Sequence, residues 1–234
     1  MGLPIQKAPT YNCVLPITGT EVEFRPFLVK EQANMLVTKE TEDPKAMFNA
    51  LMGLLKSVTE GKLDASNIPM ADLEYLFMMI RTKSVGETAK VPLPCQTETC
   101  DNVIIDDIIL TDMQVDTSEM LESKIKLNDT LYIELVAPSA ELVFGIEGME
   151  EVEMIKPVLR NCLVRIYDEE NVYEMADHRD SEIDEFVESL TVQQFEMITE
   201  YFASIPRLSY SHEYKCPKCG ETHTQEIAGL ENFF

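Results

Sequence analysis

Hydrophobic and polar positions change period several times along the chain, and each change marks an element. Tyr11–Pro16 and Glu21–Phe27 alternate with period two around Ile17-Thr18-Gly19-Thr20, which predicts a β-hairpin. From Val29 to about Lys39 the period becomes helical. Asp43 is a natural N-cap with Pro44 at the first helical position; Met47, Leu51, Leu54, Leu55 and Val58 then share one face, and Gly61 supplies the stop. Pro69 opens a further helix, Asp72 to Lys83. Its Leu73, Tyr75, Leu76, Phe77, Met78, Met79 and Ile80 leave almost no polar side, so it should lie buried and central. After Gly86 come Val91-Pro92-Leu93-Pro94, the pair Cys95 and Cys100, and Val103-Ile104-Ile105. That order reads as strand, knuckle, strand.

The second half repeats it. Ile125–Val136 predicts strands around an Asn128-Asp129 turn, and a helical stretch runs from about Glu150 to Tyr167, with Pro157 kinking or restarting it. Thr191 and Gln194 form a capping box that opens a helix with Phe195, Ile198, Tyr201, Phe202 and Ile205 inward. Leu208-Ser209-Tyr210, Cys216-Pro217-Lys218-Cys219-Gly220 and Thr222–Ile227 again read as strand, knuckle, strand. Ala71–Arg81 corresponds to Gln193–Ala203, each followed by a cysteine pair, which suggests an internal duplication of about 110 residues. The expected fold class is α+β, in two pseudo-repeated halves, residues 1–117 and 118–234, joined by a zinc-ribbon-like site.

Charge narrows the choice of partners. Among 234 residues, 42 acids face 19 bases, a formal charge of −23. Such a surface repels phosphate backbones and anionic membranes alike, so neither nucleic acid nor membrane is expected as a partner. The longest apolar runs, such as Tyr75–Ile80, fall far below the roughly 20 residues of a spanning helix. The N-terminus Met1–Gln6 has no signal-peptide pattern, which makes a cytoplasmic protein with reduced or metal-bound cysteines the expectation.

The cysteines carry the sharpest chemistry. Two thiolates separated by two residues, as in Cys216-Pro-Lys-Cys219-Gly220, hold one zinc from a tight turn, the glycine letting the backbone curl back. A redox pair would need a strand-to-helix junction to lower the thiol pKa, and here strands flank both sides. A structural zinc takes four ligands, so Cys95 and Cys100 are the matching pair, giving one closed four-cysteine site. His212 and His223 are alternative ligands, or solvated strand residues; Cys13 and Cys162 look like buried apolar positions.

Catalytic patterns are harder to find. The chain has no G-x-S-x-G elbow and no H-E-x-x-H, and nine glycines offer little for a phosphate cradle. Asp177-His178-Arg179-Asp180, beside Glu174 and Glu182, is the one tempting cluster for a general base or a hydrolase. Residues 141–190 hold 15 acids against 4 bases, however, so acids beside any residue there are expected, and a solvated loop is the plainer reading. No enzyme is expected. Binding candidates are the basic spot Arg81 and Lys83, which also suits a helix C-terminus, and the tail residues Leu230, Phe233 and Phe234 as aromatic or aliphatic anchors.

Taken in order, these motifs resemble a known family. Leu15-Pro16, Gly19 and Val22-Glu23-Phe24-Arg25-Pro26-Phe27 come first, then Arg81-Thr82-Lys83-Ser84-Val85-Gly86-Glu87 before a cysteine pair. Cys216-x-x-Cys219-Gly220 and the Gly229-Leu230-x-x-Phe233-Phe234 ending complete the set. Together they resemble the baseplate hub and hub-assembly proteins of T-even-like contractile-tailed phages. The resemblance implies a part of the tail baseplate, or a factor that assembles it, made in the host cytoplasm and docking other hub or tail proteins. It implies no catalytic residues, and its cysteine pairs map onto Cys95, Cys100, Cys216 and Cys219. The alternatives are a zinc-ribbon adaptor for a host protein machine and a hydrolase built on His178.

Overall fold

A computed structural model describes residues 7–41 and 43–229. Leu230, Phe233 and Phe234 lie outside the described residues. Within them the chain is mixed α and β, with seven α-helices and several small sheets. It divides into two compact units.

Of the described residues, the first unit takes those up to 65, then 71–116 and 207–229. Its opening hairpin pairs β1 (Tyr11–Val14) with β2 (Glu21–Phe24), putting Cys13 opposite Val22. Three helices follow: α1 (Val29–Lys39), α2 (Pro44–Val58) and α3 (Met70–Ser84). Asp43 caps α2 by accepting from the Lys45 N–H, as the Asp-Pro signal anticipates. Helix α3 is buried nearly all round, its Leu73, Leu76 and Ile80 fully so. Two acids at its N-terminus are buried as well. Asp72 accepts the N–H groups of Ile17 and Thr18 at 2.7 and 3.0 Å, closing the first hairpin's turn, and Glu74 accepts from Leu208 N–H at 3.3 Å. The positive end of the helix suits Asp72, while burial pushes the Glu74 carboxyl up.

Two long hairpins complete this unit. One joins β3 (Thr88–Pro94) to β4 (Val103–Ile109) and is followed by the short strand β5 (Gln114–Val115).

The second unit, residues 66–70 and 117–206, holds a four-stranded antiparallel sheet. Its strands are β6 (Lys124–Lys126), β7 (Tyr132–Leu135), β8 (Leu163–Tyr167) and β9 (Val172–Glu174), adjacent in that order. Helices α4 (Ala140–Gly145) and α5 (Glu151–Cys162) separate β7 from β8, while α6 (Asp180–Glu188) and α7 (Val192–Ser204) follow β9. Leu127, Ile133, Leu135, Leu159, Ile198 and Tyr201 belong to its core. The helix expected over 150–167 stops at Cys162, because Leu163–Tyr167 pairs as a strand with both β7 and β9.

The remaining hairpin of the first unit comes from the far end of the chain. There β10 (Leu208–Lys215) pairs with β11 (Thr222–Ala228) and, through Leu208 and Ser209, with β5. Residues 207–229 thus fold with the first unit. The reason is physical: the apolar face of β10, including Leu208 and Tyr214, is buried in that unit. The second unit also inserts the hairpin β8–β9 between its helices, an addition that the order of elements in the first half lacks.

Candidate metal centre

The tips of the β3–β4 and β10–β11 hairpins bring four cysteines together. The Sγ atoms of Cys95, Cys100, Cys216 and Cys219 all lie within 4.8 Å of one another. Cys95 and Cys219 sulfurs are 3.6 Å apart, Cys100 and Cys216 sulfurs 3.8 Å. A tetrahedron of about 2.3 Å zinc–sulfur bonds has sulfur–sulfur edges of about 3.8 Å. The donor set therefore fits a tetrahedral metal.

Each knuckle is built by local backbone bonds. Cys216 N–H donates to Glu221 O at 2.9 Å and Gly220 N–H to Cys216 O at 2.9 Å. Gly220 has φ +81°, a conformation that favours glycine, so the glycine after the second cysteine has a defined task. In the wider knuckle, Cys95 N–H donates to Asn102 O and Cys100 N–H to Thr97 O, so an extra turn absorbs the two additional residues.

Electrostatics treat the thiols of this space unequally. The Thr97 hydroxyl and then the Thr97 N–H bond to Cys95, lowering its thiol to about 6. The N–H groups of Cys219 and Lys218 hold Cys216 below the ordinary cysteine value. An Asn102 N–H lowers Cys100, but burial and the neighbouring sulfurs outweigh it and push that thiol to about 11. Cys100 thus resists ionising beside its neighbouring sulfurs unless a cation enters among them. By contrast, burial raises Cys13 to about 11 and Cys162 to about 12, as inert core thiols require.

Sequence reasoning missed the shell around the sulfurs. His223 is half-buried with Nε2 3.2 Å from Cys95 Sγ, and the Asn102 amide donates to Cys216 Sγ at 3.6 Å. His212 is not solvated either: its Nε2 meets Asp106 Oδ2 at 3.0 Å, and its ring stacks on Tyr214. The signal was present in the register. His212, Tyr214 and Tyr210 alternate along β10 on the face opposite Ser211 and Glu213.

The model of the T4 bacteriophage base plate protein family matches residues 8–234. The chain belongs to that family. No curated protein and no solved structure matches it significantly. Among the described residues, no helix of this base plate protein is long and apolar enough to cross a membrane.

Other candidate residues of the base plate protein have local duties. Arg81 donates to Gly86 O at 3.3 Å and Thr88 O at 3.2 Å, fastening the end of α3 to the start of β3. Lys83 is exposed, with Nζ 5.6 Å from the Tyr11 ring centre. His178 lines a cavity of about 290 Å³ with Leu131, Ile166, Tyr173, Ile183 and Phe186. The acids around it are engaged. Glu182 accepts the Arg179 N–H at 2.9 Å as part of the α6 cap, and Asp168 accepts the N–H groups of Glu170 and Asn171 and the Tyr173 hydroxyl. His178 Nδ1 stands 3.9 Å from Glu182, longer than a hydrogen bond.

Proposed function

We propose that this chain is a non-enzymatic structural or assembly component of the phage baseplate hub, clamped by one structural Zn²⁺ and docking other hub proteins. Cys95, Cys100, Cys216 and Cys219 hold the metal. The observation that supports the clamp is the grouping of four sulfurs, all within 4.8 Å of one another, from two hairpins far apart in sequence. Four thiolates fill a zinc's coordination and leave no position for water, so the metal serves folding and not hydrolysis. The family match supports the baseplate role. An acidic surface of net charge −23 steers encounter with basic patches on partner subunits. Arg81 and Lys83, in the last turn of α3, and the tail residues Leu230, Phe233 and Phe234 are proposed contacts. The duplication of an ancestral half belongs to the same proposal.

Native mass spectrometry, with and without a chelator, tests the clamp: one zinc per chain, lost together with folding, is expected. Affinity capture from infected cells tests the docking. Recovery of baseplate proteins supports it; recovery of host machinery alone replaces the hub by an adaptor.

A further inference from the structure

The two metal-bearing hairpins present very different outer faces. That of β10–β11 is Ser211, Glu213, Lys215, Thr224 and Glu226, as a solvated ribbon should be. That of β3–β4 carries Thr88, Lys90 and Asp107 at its far end, but near the knuckle it is Pro92, Pro94, Val103 and Ile105, with Val103 57% and Ile105 69% exposed. Its two edges differ as well. Pro92 lies opposite Ile105 and Pro94 opposite Val103. Proline has no N–H, so these are the pairs that exchange no ladder bonds, and the neighbouring Cys95 N–H to Asn102 O bond fixes the same alternation. The prolines therefore strip donors from the outer edge of β3, a known protection against strand addition. By the same register, Val103 and Ile105 turn their N–H and C=O groups outward from β4. That edge has no proline and, among the described residues, no partner strand.

Further along, Asp106 Oδ1 accepts the outward Asp107 N–H at 2.9 Å while Oδ2 meets His212. The open stretch beside the knuckle is thus Val103–Ile105. Exposed acids Glu98, Asp101 and Asp107 border it, Asp101 paired with Lys218 and Asp107 opposite Lys90. A second copy would bring another −23 to this edge.

We infer that the outer edge of β4 at Val103–Ile105 receives an extended segment of a different protein, alternating apolar side chains with lysine or arginine. Main-chain bonds to Val103 and Ile105 align the segment, the apolar stripe packs its inward side chains, and the acids select its charge. The inference rests on the docking reading and says where one partner binds.

The test uses amide exchange, read by NMR, on the full metal-loaded chain with a synthetic octapeptide of alternating valine and lysine. Exchange at Val103 and Ile105 should slow about tenfold, while a valine–glutamate octapeptide does nothing. Ile105→Pro copies the device on β3: it removes an outward donor without touching a ladder bond, and should abolish the protection. Unchanged zinc content and unchanged exchange at Ile104 and Ile108 verify its fold. Equal exchange with and without the lysine peptide overturns the inference, and so does protection that rises with protein concentration alone, which marks a second copy. Capture from infected cells separates the two readings. If wild type and Ile105→Pro recover baseplate proteins equally, the edge is refuted and docking stands; if wild type recovers none, docking itself falls.

Discussion

Stripping the metal should loosen the first unit by an amount that the chain connectivity sets. Cys100 and Cys216 are 116 residues apart, and the second unit lies between them. A cross-link closing a loop of that length restricts the unfolded chain by about 5 kcal/mol. If the second unit stays folded when the first opens, only the short segments on either side of it are free, and the figure falls to about 3 kcal/mol. Chelation also leaves Cys100 beside three sulfurs, neutral and poorly matched, which adds to the loss. The stability of the first unit should therefore drop by about 3–5 kcal/mol. The chain has no tryptophan, so urea unfolding is followed by far-UV circular dichroism, with a thiol reagent counting reactive cysteines. Two unfolding steps are expected, with only the one assigned to the first unit moving when metal is removed. Cys100→Ser should reproduce that shift and Cys162→Ser should not. An unchanged midpoint after complete metal removal, with the four cluster thiols newly reactive, would refute the clamp.

Smaller perturbations address other contacts of the fold. Arg25 holds Glu31 in a two-pronged bond of 2.8 and 2.9 Å, with Ser57 and the Leu28 N–H adding to it, and the Glu31 carboxyl is lowered to about 2. A depressed carboxyl stabilises the fold fully above its unfolded value, and that contribution fades as pH falls through about 2. Glu31→Gln should cost about 2 kcal/mol at neutral pH and flatten the acid limb of a stability-versus-pH curve. Asp72→Ala strands the N–H groups of Ile17 and Thr18, and urea titration should show a loss of about 2–4 kcal/mol. His178→Ala should leave zinc content, fold and recovery with baseplate proteins unchanged; loss of assembly with an intact fold would restore the acidic cluster as a functional site.

Local chemistry was legible in the sequence where one short segment decides the outcome. The Asp43-Pro44 start, the Thr191–Gln194 box and both knuckles depend on neighbours within a few residues, and each forms where the spacing places it. The helix expected to run to Tyr167 failed for the opposite reason. Nothing inside Leu163–Tyr167 forbids a helix, and its strand state is decided by β7 and β9 on either side. The same holds for residues 207–228, which pairing with β5, burial beside α3 and contacts with the β3–β4 hairpin tie to the first unit.

Long-range register explains what the cysteine spacing left unseen. Two knuckles can be read from two motifs, but the helpers Thr97, Asn102 and His223 reach the sulfurs only after the hairpins zip up in one register. A slip of one residue on β11 would send His223 to the outer face and bring Thr222 or Thr224 inward. The same argument applies to the outer stripe of β4. In isolation, Val103-Ile104-Ile105 is an apolar run with no marked face. Pairing with Pro92 and Pro94 turns Ile104 inward and leaves Val103 and Ile105 outward, so the apolar surface is a product of register and not of composition. The register that gathers the cysteines therefore also exposes the edge beside them, and the metal that fixes one should fix the other. Amide exchange at Val103 and Ile105 in metal-free protein should accordingly lose its dependence on the lysine peptide, whereas an edge that still binds would show that the hairpin holds its register without the clamp.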